Sequence, residues 1–124
     1  MTDKPQKHKV SLLRSLAFEI IDTDERREQT KQLLDELLPH LAADIENSLH
    51  DQEAKLFYEL FTEQRRPKIR VVLRLLKFEH EVLIHLDSKN AMFIVGSERT
   101  GETASNAFNA CAIVQTMMMR VRSD

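Results

Sequence analysis

At Pro67 the spacing of the apolar residues changes, and this break constrains the fold more than any other feature of the chain. On its N-terminal side, Leu33, Leu34, Leu37, Leu38, Leu41, Ile45 and Leu49 recur at intervals of three and four. That spacing gives one broad apolar face of a helix. An earlier set, Leu12, Leu13, Leu16, Ala17 and Ile20, repeats the pattern and predicts a helix over 10–21. Between the two, Asp22 or Thr23 is placed to cap a helix whose first turn is acidic. Pro39 lies inside the leucine stripe, where it must kink the helix or begin a new one, because its ring crowds the preceding turn and it donates no hydrogen bond. The segment QEAKLFYELFTE, residues 52–63, reads as a further amphipathic helix with Leu56, Phe57, Leu60 and Phe61 crowding one side.

Beyond Pro67 the texture becomes β-branched and alternating, in KIRVVLRLLKF, EVLIHLD and AMFIV. Ser88, Lys89 and Asn90 supply a hairpin turn, and a second turn is expected near Glu79 and His80. Residues 68–78 fit a strand, although Ile69, Val72, Leu73 and Leu76 also fit a helical period. The final stretch, GETASNAFNACAIVQTMMMRVRS, reads as a helix with small residues suited to close packing on a sheet. With only two glycines and three prolines, the chain lacks the turn supply of an all-β protein. The expected architecture is therefore α+β: N-terminal amphipathic helices, a small antiparallel β-sheet over roughly 68–96, and a C-terminal packing helix. Length sets the domain plan, a flexible basic N-terminus over 1–9 followed by a single α+β domain over 10–124.

The net charge of −2 conceals strong segregation. Acids outnumber bases thirteen to four over residues 19–63, whereas residues 64–78 carry six bases and no acid. No apolar run approaches the roughly 20 residues of a membrane helix. Arg14 and Glu19 interrupt what would otherwise resemble a signal-peptide core, so a cytoplasmic location is expected. The lone Cys111 has no intramolecular disulfide partner and reads as a packing residue.

Two stretches invite a functional reading. GSERTGET, residues 96–103, matches the phosphate-binding pattern G-x-x-x-x-G-K-[ST] except that Glu102 replaces the lysine that would reach the terminal phosphates. A carboxylate there repels phosphate, so the stretch reads instead as a hairpin exit at Gly96 and a helix start capped by Ser97 or Thr100, with Gly101 and Glu102 in the first turn. A degenerate nucleotide or anion binder is the residual functional reading of these residues. The basic segment offers Arg65, Arg66, Lys68, Arg70, Arg74 and Lys77 as partner-binding residues. As a strand it would turn Arg70 and Arg74 to one face and Ile69, Val71, Leu73 and Leu75 to the other. These bases could pair with the protein's own acidic helices, meet an acidic protein, or follow a nucleic-acid backbone.

Met117, Met118 and Val121 near the C-terminus suit either core or a homodimer seam. The histidines His8, His40, His50, His80 and His85 show no zinc-type spacing, and no nucleophile-base grouping stands out. The resulting expectation is a small non-catalytic binding or regulatory protein without cofactor or metal. It would act through protein–protein contact, as a homodimer, with nucleic-acid binding through 65–77 as the rival.

Overall fold

The computed structural model describes residues 19–21, 23–86, 93–97 and 99–123, with side chains to Arg120. The basic stretch 1–9 and most of the helix expected over 10–21 lie outside the described residues; Glu19 and Ile20 are helical. Thr23 is extended and its hydroxyl accepts a hydrogen bond from the Arg26 backbone N–H at 3.2 Å, capping helix α1 (Asp24–Gln32). Asp24 and Glu25 occupy the first turn, where carboxylates suit the positive end of the helix.

The helix passes Pro39 by widening. A π-helical turn spans Leu33–Leu37, with the Leu38 N–H reaching back to the Leu33 carbonyl, and helix α2 (Leu38–Ser48) follows with Pro39 in its first turn. Proline has no N–H to give, and its ring crowds the carbonyl four residues back. The wide turn loosens the ladder at that point, so the leucine stripe continues through it. Leu33, Leu34, Leu38, Leu41 and Ile45 are all buried.

A 3₁₀ turn (His50–Gln52) leads into a five-stranded antiparallel sheet. Its strands are β1 (Lys55–Glu63), β2 (Arg66–Arg74), β3 (Glu79–Leu86), β4 (Phe93–Val95) and β5 (Glu102–Ala104), in sequential order. The α+β class is as expected, but the sheet begins earlier and ends later than the span 68–96. Residues 55–63 form an edge strand rather than a helix. Their apolar pairs, Leu56 with Leu60 and Phe57 with Phe61, are four apart, a spacing that keeps one face in a strand as well as in a helix. Long-range pairing with β2 along all nine residues decides between the two.

The β1–β2 hairpin closes through Gln64 and Arg65, whose φ values of 52° and 63° are both positive, as a type I′ turn requires. Neither is the glycine or asparagine that usually marks such a turn. Arg74 pairs with Glu79 across the β2–β3 loop, so Glu79 and His80 begin β3 rather than forming the turn. Residues 68–74 are strand. The expected turn at 88–90 lies outside the described residues.

Helix α3 (Ala107–Ser123) starts later than the sequence suggests. Asn106 Oδ1 accepts the Asn109 N–H at 2.8 Å, and the Ala107 N–H donates to Gln29 Oε1 at 2.6 Å, tying the start of α3 to α1. Ser97 and Thr100 do not cap it. The π turn, α2 and α3 cover one face of the sheet, with α1 packed on α3, and there Leu56, Leu60, Ile69, Val71, Leu73, Val82, Ile84, Phe93 and Val95 meet the leucine stripe together with Ala107, Ala110, Val114 and Met118. Strand alternation turns the other side chains to the opposite face.

Candidate functional site

The face of the sheet away from the helices collects most of the charged residues singled out in the sequence. In β1 it presents Phe57, Glu59, Phe61 and Glu63; in β2, Arg66, Lys68, Arg70, Val72 and Arg74; in β3, Glu79, Glu81, Leu83 and His85. These align in rows because antiparallel register sets Glu59 opposite Arg70 and Arg74 opposite Glu79. The bases are consequently matched in place. Arg70 Nη1 lies 3.2 Å from Glu59 Oε1 and its Nε 3.1 Å from Glu81 Oε2. Arg74 Nε reaches Glu79 Oε1 at 2.9 Å, and Lys68 Nζ reaches Glu63 Oε1 at 2.8 Å. Both guanidinium groups also cover aromatic rings, Arg70 over Phe61 at 4.7 Å and Arg74 over Phe57 at 5.0 Å.

Lys68, Arg70 and Arg74 of the basic block are thus matched by Glu59 and Glu63 from the end of the acidic block and by Glu79 and Glu81 beyond it. The boundary between acidic and basic residues falls at 63–64, where the hairpin turns, so folding lays one block beside the other. The bases meet acids of their own sheet rather than of the helices. The hydrogen bond from the Lys68 ammonium, together with its positive charge, holds the Glu63 carboxyl below the usual carboxylate range. Lys68 itself is buried, and so is His85 beside it in the pairing register. His85 Nε2 donates to the Gly96 carbonyl at 2.9 Å, while its Nδ1 is buried without a partner among the described residues.

Arg65 stands at the exposed hairpin turn, Arg66 opens β2 opposite Glu63, and Lys77 lies in the exposed β2–β3 loop. Near that loop lie three exposed apolar side chains, Phe57, Leu76 and Phe78. Phe57 and Phe61 of β1 are surface features that a helical reading hides, because it gives them to the same face as Leu56 and Leu60. The run Leu56-Phe57-Tyr58 carried the signal for a strand, since three consecutive large apolar residues wrap a helix but serve both faces of a sheet.

The GSERTGET segment is a strand-to-strand connection. Gly96, with φ 105°, follows β4, and Glu102 and Thr103 pair with Val95 and Ile94 in β5. Its backbone folds tightly, the Gly101 N–H donating to the Ser97 carbonyl at 2.7 Å. A Cβ at Gly101 would lie 2.5 Å from the Ser97 oxygen and 2.6 Å from the Val95 oxygen. The glycines therefore serve a hairpin, and the helix N-terminus that a phosphate loop needs is absent here, α3 opening only at Ala107.

Met118 is fully buried in the core, so its side chain is not available to a second subunit, and Met117 is half-buried against the same core. The Val121 side chain lies outside the described residues. Among the described residues, no group of three His, Cys, Asp or Glu side chains could hold a metal ion, and no helix is long and apolar enough to cross a membrane. No protein-family model matches the chain, and no curated protein or solved structure gives a significant match.

Proposed function

We propose that the protein is a non-catalytic, cytoplasmic protein-binding module of regulatory or adaptor type that works as a homodimer. The observation that carries this reading is the mutual neutralisation on the sheet face away from the helices. Lys68, Arg70 and Arg74 are each matched by a carboxylate within 3.2 Å, which leaves little uncompensated charge there to follow a phosphate backbone. Exposed beside them are also three large apolar side chains, Phe57 at 47%, Phe78 at 48% and Leu76 at 63%. Aromatic side chains flanked by charge are the composition of protein contact surfaces. A twofold dimer is the commonest form for a small chain with such a surface. Sedimentation velocity from low to high micromolar concentration tests the dimer: a second, heavier species that grows with concentration is expected, and one-chain mass throughout contradicts it. Titration of labelled duplex DNA and single-stranded RNA tests the rival. Binding that falls steeply with added salt and weakens on Arg65→Ala with Arg66→Ala would establish nucleic acid as the partner instead.

A further inference from the structure

A second surface, on the far side of the molecule, has a composition of its own. The π turn and α2 run beside α3, and between them lies an open groove of about 280 Å³. One wall carries Leu37 and Leu41, the other Phe108, Cys111 and Ala112. The spacing along each wall, three or four residues, makes two rows of apolar side chains facing a shared trough. Phe108 stands in it 68% exposed, the most exposed large apolar side chain of the described residues. The rim is acidic. Glu36 and Asp44 are exposed on it, with His40 3.8 Å from Asp44. Beyond Glu36 the carboxylates continue with Asp35, Glu28 and Glu25, with Lys31 among them.

We infer that this groove receives an amphipathic helix of a partner protein, with an apolar stripe for the trough and Lys or Arg on its flanks. Three properties of the groove select that occupant. Its walls are helices, whose backbone groups are satisfied internally, so it offers no edge for an extended peptide to pair with. A third helix can lie in the trough between two others at ordinary interhelical distances of roughly 8–10 Å. The acidic rim then attracts basic flanks and repels acidic ones. Among the described helices a second copy is a poor match, because α1 and α2 together carry an excess of carboxylates and the apolar face of α3 is already packed in the core. The inference rests on the chain being a protein-binding module, but not on the sheet face away from the helices or on the homodimer.

Cys111, the only cysteine, is half-buried in this groove and serves as a built-in reporter. The test uses the full chain with two synthetic helical peptides of one apolar pattern, leucine with lysine and leucine with glutamate. The lysine peptide is expected to bind saturably and to slow alkylation of Cys111, while the glutamate peptide does neither. Phe108→Ser should weaken binding at least about tenfold, as loss of a central aromatic contact does. Glu36→Lys with Asp44→Lys should weaken it by a similar factor at low salt and less at high salt. All three positions are exposed, so the variants keep the fold, which far-UV circular dichroism checks. Equal binding of both peptides, or an alkylation rate and affinity indifferent to these substitutions, overturns the inference. So does Cys111 shielding in the free chain that Leu13→Glu relieves, which would give the groove to the chain's own N-terminal segment. Self-association abolished by Phe108→Ser would give it to a second copy. A chain that retains host polypeptides yet ignores the lysine peptide loses this inference alone; one that retains neither loses the protein-binding reading as well.

Discussion

The guanidinium of Arg70 lies 4.7 Å above the ring of Phe61, with Glu59 and Glu81 at 3.2 and 3.1 Å on either side. Its charge is thus engaged from three directions by its own sheet. Arg70→Ala should destabilise the fold by about 1–2 kcal/mol, a modest figure because the side chain is partly exposed and the ion pairs are screened by water. Arg70→Lys should recover only part of this, since an ammonium cannot lie flat on the ring while keeping the hydrogen bond to Glu59 and the charge contact with Glu81. Urea unfolding of the three proteins measures it. A neutral outcome for Arg70→Ala would mean that this charge is held for an external partner.

Gly101 is enclosed by backbone oxygens of Ser97 and Val95 and by the Ile94 methyl group at 2.9 Å. Gly101→Ala should therefore lower stability by about 2–3 kcal/mol, the cost of overpacking against atoms that cannot step aside. Restoring the missing lysine by Glu102→Lys should create no nucleotide site, because Glu102 pairs in β5 rather than opening a helix. Thermal unfolding with millimolar magnesium-ATP checks both. An ATP-dependent rise in melting temperature for Glu102→Lys would revive the phosphate-loop reading.

Gln64 and Arg65 hold left-handed backbone conformations that side chains with a Cβ adopt at a cost. Replacing them with the residues a type I′ turn prefers, Gln64→Asn and Arg65→Gly, should stabilise the protein by about 1–2 kcal/mol. The denaturation midpoint should rise while the slope of the transition stays constant.

Lys68 is buried to 8% exposure and depends on Glu63 for its counter-charge. Because Glu63 has a lowered pKa in the folded state, the stability it confers is complete above the unfolded carboxylate range, about pH 4.3, and is lost as the pH falls through the folded value. Glu63→Gln should destabilise the protein at pH 7 and remove this dependence, so that wild type and variant draw together as the pH falls below the carboxylate range. Lys68→Met, which removes the buried charge itself, should be milder at pH 7 than Glu63→Gln. Denaturant titrations at the two pH values test the order.

Much of this architecture is written in local spacing, and the rest is not for identifiable reasons. The leucine stripe, the Thr23 cap and the alternation of Ile69, Val71 and Leu73 each follow from one periodicity, and each is observed. Strand β1 fails that test because Leu56 with Leu60 and Phe57 with Phe61 satisfy both periods; only pairing with a strand beyond the turn separates them. The turn itself is hidden, since Gln64 and Arg65 carry none of the usual chemistry. Thr103 and Ala104 look like a helix start until the register with Ile94 and Phe93 is known. As a helix, residues 55–63 would turn Glu59 and Glu63 to a wet side and leave Arg70 and Lys68 without these partners.

The most direct test of the protein-binding reading is affinity capture from the native host, comparing wild type with a Phe57→Ser, Phe78→Ser variant at low and high salt. Both changes are at exposed positions and leave the core intact. The expected result is one or more polypeptides retained by the wild type through high salt and lost by the variant, with no nucleic acid in the eluate. Retention of nucleic acid that salt releases, or a set of polypeptides that the two substitutions leave unchanged, would contradict it.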